Sequence, residues 1–292
     1  MKIYLAAKAK RGFCAGVNRA VETALEQLND PAGRPVRILH ELVHNKTVVE
    51  SLRQKGCEIV ENADDAPEGA VLIFSAHGVS ADVENYARSL PVTVLDATCP
   101  LVKQVQNLAA QRSAAGDIVL LAGKKNHREV EGILGRIPGG KHLLTSPSDA
   151  ENFIPVAGKT YTLLSQTTFF EEDFRKITEI LQKKIPSIHV KNTICPSTSA
   201  RQDAVRRMAS VCDTVVVVGT PNSSNSKRLC EAAISAGAKS LLLSGTSEFP
   251  AELLQSAMIG VTSGASASEA EVQQLLQRLL ALPGAEFAGE LE

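Results

Sequence analysis

Three of the six cysteines stand where a thiolate could be put to use. Cys14 lies in Gly12-Phe13-Cys14-Ala15-Gly16, Cys99 in Asp96-Ala97-Thr98-Cys99-Pro100, and Cys195 in Thr193-Ile194-Cys195-Pro196-Ser197. Each falls directly before a helical pattern, and proline, which suits the first helical position, follows two of them. The positive end of a helix lowers a thiol pKa and favours thiolate, the form that ligates metal or attacks electrophiles. Three such thiolates from separated junctions suit an iron–sulfur cluster with one open iron, or a three-thiolate zinc site. Cys57, Cys212 and Cys230 are embedded in ordinary strand or helix patterns and read as small buried hydrophobes. No two cysteines are close enough for a CxxC motif.

A second constellation is His40-Glu41-Leu42-Val43-His44, which matches the HExxH pattern of zinc hydrolases. That chemistry needs both histidines on one face of a helix, with the glutamate as base. Here residues 36–39 read as a strand, and Asn45 reads as the N-cap of a helix carrying Val48, Val49 and Leu52. The motif thus falls on a connection. His44 is the better functional candidate and His40 the structural one, with a zinc hydrolase kept as an alternative.

The elements that must position these groups alternate along the chain. Apolar runs at residues 3–7, 36–39, 71–74, 118–121, 161–164, 215–218, 240–243 and 258–261 read as buried strands. Between them lie amphipathic stripes: Val17, Ala20, Val21, Ala24, Leu25 and Leu28; Phe170, Phe174, Ile177 and Leu181; Val272, Leu275, Leu276 and Leu279. Ser268 and Glu271 have capping-box spacing at the start of the last. Such alternation predicts parallel sheets in an α/β fold. Five strand ends empty into polar loops: Ser75-Ala76-His77-Gly78, the segment 123–129, Ser165-Gln166-Thr167-Thr168, the segment 219–226, and Thr262-Ser263-Gly264-Ala265-Ser266. Helix caps account for many Ser, Thr and Asn residues. Five such loops, three of them richer in hydroxyls than capping needs, at the strand ends where α/β proteins bind ligands, point to a phosphate-bearing small molecule. Neither GxGxxG nor a Walker loop occurs.

Composition narrows the classes. The 292 residues carry 31 Lys+Arg against 32 Asp+Glu, a net charge of -1, which argues against nucleic acid as a partner. An apolar fraction of 44% excludes a disordered chain. Lys8, Lys10 and Arg11 interrupt the apolar start before a signal-peptide core could form, and no run approaches a membrane span. The expectation is a cytoplasmic protein with reduced thiols, no membrane partner and two or three compact units.

GFCAGV (12–17), HELVHN (40–45), FSAHGVS (74–80), DATCPLV (96–102), HREVEG (127–132), SQTT (165–168), NSSNS (222–226) and SGAS (263–266) occur in one further meaningful order. In that order, from about Met1 to about Leu280, the chain resembles the 4-hydroxy-3-methylbut-2-enyl diphosphate reductase family, LytB/IspH. The resemblance implies three α/β domains in a pseudo-threefold trefoil, divided at 1–98, 99–194 and 195–292, with the N-terminal strand in the first. It implies one [4Fe–4S] cluster on Cys14, Cys99 and Cys195, which can appear as [3Fe–4S] after oxidation. It implies reductive dehydration of an allylic diphosphate to isopentenyl and dimethylallyl diphosphate, with electrons from a donor such as ferredoxin or flavodoxin. Carried residue by residue, it assigns diphosphate contacts to His44, His77, Ser223, Ser224, Asn225 and Ser266. His127, Glu129 and Thr167 fall around the substrate hydroxyl, with Glu129 as the proton source.

The chain departs from the family pattern at Lys124, Arg128, Pro196-Ser197 and the Ala267-Ser268 pair after the last serine loop. None of these removes a ligand or the acid. They leave open a divergent paralogue or a non-catalytic iron–sulfur or diphosphate-binding regulator. Arg128 and Lys124 would add positive charge near the anion.

Overall fold

The computed structural model describes residues 1–292, with eleven α-helices and thirteen strands. All eight apolar runs are strands, and five more appear: Glu58–Val60, Thr93–Asp96, Lys141–Leu144, His189–Val190 and Glu286–Leu291. They form three sheets, and every pairing is parallel. The α/β class follows: central strands are apolar throughout because helices cover both faces.

The chain packs into two compact units. One comprises Asn18–Val43 and Thr47–Cys195 and contains two four-stranded sheets. The first runs Glu58–Val60, Val36–Leu39, Val71–Phe74, Thr93–Asp96; the second Lys141–Leu144, Ile118–Ala122, Tyr161–Ser165, His189–Val190. Each has the spatial order second, first, third, fourth. Leu39, Leu72, Phe74 and Ala87 build the core on one side of the first sheet, and Leu120, Leu163, Phe174, Ile177 and Leu181 that of the second. The helix carrying the last three, Glu171–Lys184, realises the predicted stripe.

The other unit comprises Met1–Val17, His44–Lys46 and Pro196–Glu292. Its five-stranded sheet runs Lys239–Leu243, Thr214–Val218, Met258–Ser263, Lys2–Ala6, Glu286–Leu291. The N-terminal strand therefore pairs with strands from the end of the chain rather than with those of residues 36–96. Ile3, Val216, Val218, Ile259 and Val261 pack against Val272, Leu275 and Leu279 of helix Glu269–Leu280. Ser268 and Glu271 form the expected capping box at its start.

Candidate functional site

Cys14, Cys99 and Cys195 each immediately precede a helix: Ala15–Leu28, Pro100–Ala114 and Pro196–Ala209. The structure adds an anchor common to all three. The backbone N–H of Cys14 donates to Ala265 O at 3.1 Å, that of Cys99 to Ala76 O at 3.0 Å, and that of Cys195 to Thr167 O at 2.8 Å. In every case the acceptor lies in the loop after the neighbouring strand, at or beside an expected site residue: Ser266, His77 and Thr167. A register of parallel strands thus couples each thiol to a strand-end loop.

Cys14, Cys99, Cys195 and Cys230 are half-buried, Cys57 and Cys212 are buried, and none of the six cysteines forms a disulfide. Burial pushes the Cys57 thiol up to about 11 and the Cys212 thiol up to about 12, and it raises that of Cys230. A thiol held protonated by apolar surroundings is a filler, not a ligand. Three soft donors at helix N-termini fit an iron–sulfur cluster, whose ligands are thiolates.

In the unit that holds both four-stranded sheets, Glu129 is 2% exposed. It lies in the first turn of helix Arg128–Leu134, immediately after strand Ile118–Ala122 and its loop. Its carboxyl accepts from the Thr167 N–H at 2.6 Å and from the Thr167 hydroxyl at 3.0 Å. Desolvation pushes its pKa up to about 7; the Thr167 bonds and one from the Gln166 side chain pull the other way without winning. A carboxyl poised there can hold and release a proton near neutral pH. His127 caps the same helix, its Nδ1 accepting from the Glu129 N–H at 3.2 Å. The neutral ring therefore carries its proton on Nε2. His77 meets His127 edge-on, with ring centroids 5.5 Å apart.

Gln166 was not singled out by the sequence reading. It is fully buried, accepts from the Lys124 N–H at 3.0 Å and donates to the Thr168 hydroxyl at 3.0 Å. Its position inside SQTT was the available signal.

In the other unit, Ser223 caps the twelve-residue helix Ser224–Ser235, its hydroxyl accepting from the Ser226 N–H at 3.2 Å. Asn225, 5% exposed, has neither amide atom hydrogen-bonded. Burying an unsatisfied carboxamide destabilises a fold, so such a group at a helix N-terminus marks a ligand position. Ser224 is buried beside it. The Ser226 hydroxyl, also unpartnered, lies where Cβ atoms on Gly219 and Gly264 would fall, which is why both strand ends are glycine. Ser266 and Thr220 donate their hydroxyls to His44 O at 3.1 and 3.0 Å, while the Asn45 amide donates to Ser266 O at 2.6 Å and Glu271 Oε2 at 2.9 Å. Ser266 is thus both a site candidate and a clasp on the His44 backbone. Ser and Asn side chains at a helix N-terminus are donors that would suit an anion without a basic patch.

The HELVH segment lies on a connection, as its flanks predicted: helix Lys46–Gln54 starts after it, and His40 adopts φ +64°. Histidines four apart on such a connection lack the shared face that a zinc hydrolase needs, which removes that alternative. His40 instead lies 3.4 Å from Glu61, its pKa lowered by burial and then by Arg128. Arg128 does not offer spare charge either, because its guanidinium pairs with Glu61 and Glu131, each at 3.4 Å.

Residues 3–280 match the family model described as LytB protein. The chain is 42% identical over 280 residues to the 4-hydroxy-3-methylbut-2-enyl diphosphate reductase of Pectobacterium carotovorum, covering 94% of this chain and 88% of that one. The Nitrosomonas europaea reductase is 42% identical over 275 residues, covering 92% and 85%. Among solved structures, the E-1-hydroxy-2-methyl-but-2-enyl-4-diphosphate reductase of Plasmodium falciparum superposes with TM-score 0.92 at 31% identity, covering 98% of this chain and 91% of that one. A second, described as the terminal enzyme of the non-mevalonate pathway, gives TM-score 0.67 at 28% identity, covering 96% and 99%. The order of motifs, the three anchored cysteines and these matches agree: the chain belongs to the LytB family.

Proposed function

We propose that this chain is the reductase that converts 4-hydroxy-3-methylbut-2-enyl diphosphate into isopentenyl and dimethylallyl diphosphate in the non-mevalonate isoprenoid pathway. The balance is two electrons and two protons in: the allylic C–O bond breaks, water leaves, and a C–H bond forms. The observation that carries the reading is Glu129, a fully buried carboxyl with its pKa pushed up to about 7, held by Thr167 beside His127.

Cys14, Cys99 and Cys195 would hold a [4Fe–4S] cluster. Such a cluster, when bound, supplies electrons one at a time and an open iron corner with Lewis-acid character. Glu129 delivers a proton to the hydroxyl oxygen, making water the leaving group, and Thr167 aims the carboxyl. His127 carries its ring proton on Nε2, and His77, which the reading assigns to the diphosphate, meets it edge-on with ring centroids 5.5 Å apart. Ser223, Ser224 and Asn225, at the start of helix Ser224–Ser235, take diphosphate oxygens together with His44 and Ser266. Neutral donors suit a product that must leave with its diphosphate intact.

The reading also carries three domains with borders near 98/99 and 194/195, the segment Met1–Val17 joining the last of them, together with a cytoplasmic location and a small electron carrier such as ferredoxin or flavodoxin. No helix is long and apolar enough to cross a membrane. The deciding experiment is anaerobic purification followed by iron analysis and a reductive assay with the allylic diphosphate. About four iron per chain and formation of both products are expected. Iron without turnover would favour the regulator, and turnover of another allylic compound in its place would favour the paralogue.

A further inference from the structure

In the two four-stranded sheets, the strand beside the third is an edge, and it leads directly to a cysteine: Thr93–Asp96 to Cys99 and His189–Val190 to Cys195. The five-stranded sheet divides this job between two strands. Chain order carries Met258–Ser263 through helix Glu269–Leu280 to Glu286–Leu291, yet Lys2–Ala6 lies between them and leads to Cys14. The displaced strand Glu286–Leu291 covers the outer edge of the cysteine-bearing one.

Its contacts reach the cysteine loop. Ala7 N–H donates to Leu291 O at 2.9 Å, extending the ladder beyond Ala6 towards the loop. Arg11, three positions before Cys14 and 7% exposed, gives Nη1 to Glu290 at 2.9 Å and also to Ala6 O, and Nε to Glu269 at 3.1 Å. A guanidinium so buried needs matched carboxylates, and the last strand supplies one of the two. A bulge places that carboxylate. The register shifts between Ile3 and Tyr4, with Gly289 at φ +120°, so that Glu290 stands opposite Leu5 rather than Ala6. Because side chains alternate along a strand, a one-residue slip would turn Glu290 to the other face. No such strap borders the strands before Cys99 or Cys195.

We infer that the C-terminal strand is a strap on the Cys14 loop, with Glu290 and Arg11 as positioning residues for the Cys14 thiol. This rests on the reading of Cys14 as a cluster ligand. The test uses the full-length, anaerobically purified protein and two readouts: the rate of iron loss to a chelator, and the iodoacetamide modification rate of Cys14 against Cys99 and Cys195, by peptide mass spectrometry. Glu290→Ala is expected to speed Cys14 modification about fivefold relative to the other two, the effect of losing one partly exposed ion pair. Gly289→Val, which strains the bulge, should act in the same direction, and Arg11→Met should act more strongly; iron loss should quicken in the same order. An unchanged Cys14 rate in Glu290→Ala and Gly289→Val overturns the strap, as does an equal rise at all three cysteines. A wild-type protein that holds no iron would sink the ligand reading, while the modification rates still judge the strap.

Discussion

The three sheets share the order second, first, third, which the five-stranded one extends with Lys2–Ala6 and Glu286–Leu291, but their strands end in different side chains. The two four-stranded sheets finish in His127, Glu129 and Thr167, to which the proposed function gives the proton, and in His77, to which it gives a diphosphate contact. The five-stranded sheet finishes in Gly219, Ser223, Ser224, Asn225, Gly264 and Ser266, a set without a titrating side chain that the proposal assigns to the anion. The cysteine anchor is the feature that does not vary: one N–H on one neighbouring loop carbonyl, in every sheet. A scaffold repeated three times thus fixes the thiols alike and leaves the loops free to specialise. The division makes separable demands on kcat, on KM and on metal retention.

The hardest test of the shared part is to remove a thiol. Cys14→Ser, Cys99→Ser and Cys195→Ser should each lose iron and all measurable turnover, since each occupies an equivalent anchor. Cys57→Ser, Cys212→Ser and Cys230→Ser should keep both, because burial holds those thiols protonated. Full iron content in any of the first three variants would break the equivalence.

Next comes the proton-handling half. Glu129→Gln should lower kcat by roughly 10²–10³, the contribution of a positioned acid, with KM little changed. Its stability should respond as well. The folded pKa near 7 lies above the ordinary 4.5, so the native state keeps a proton that the unfolded chain has released. Wild-type stability then declines as pH rises between those values, by on the order of 3 kcal/mol across the window. Glu129→Gln should lack that decline in a melting series from pH 5 to pH 8. Parallel curves for the two proteins would mean the carboxyl is not held neutral.

The five-stranded sheet was the more legible in outline: four of its five strands announced themselves as apolar runs, against four of eight in the two four-stranded sheets, and all of these but Lys239–Leu243 are central strands covered on both faces. The five strands missed are short or exposed and sit at or beside sheet edges: Lys141–Leu144 has two exposed residues and His189–Val190 is two residues long. Two of them lead to Cys99 and Cys195, so the junctions were found without the strands that create them. The insertion of Lys2–Ala6 beside Met258–Ser263 joins residues more than 250 positions apart, for which one sequence has no local signal. Site residues were legible through motif order. Their division of labour was not: that Ser266 clasps the His44 carbonyl, or that Gln166 braces the Lys124 loop, depends on which loop packs on which.

The anion-binding half should fail differently. Asn225→Ala is expected to raise KM about tenfold, the loss of one hydrogen-bond pair to a charged group, and leave kcat nearly intact. In the substrate-free protein the same change should be neutral or stabilising by about 1 kcal/mol, because both amide atoms lack partners there. Calorimetry without substrate beside steady-state kinetics reads both. A destabilised variant with normal KM would make Asn225 a structural residue and erase the contrast between the sheets.

The smallest effect is the most local. The Thr167 hydroxyl donates to Glu129 Oε2 at 3.0 Å and so favours the charged carboxylate, opposing desolvation. Thr167→Val keeps the shape and the backbone N–H at 2.6 Å but deletes that bond. Glu129 should then hold its proton to higher pH, moving the alkaline limb of kcat/KM upward, with a rate loss of only a few-fold at the optimum. Thr167→Ser, which restores the hydroxyl, should return the limb to its wild-type place. A limb that stays put in Thr167→Val would assign it to another group, and His127, whose Nδ1 accepts from the Glu129 N–H, would be the one to replace next.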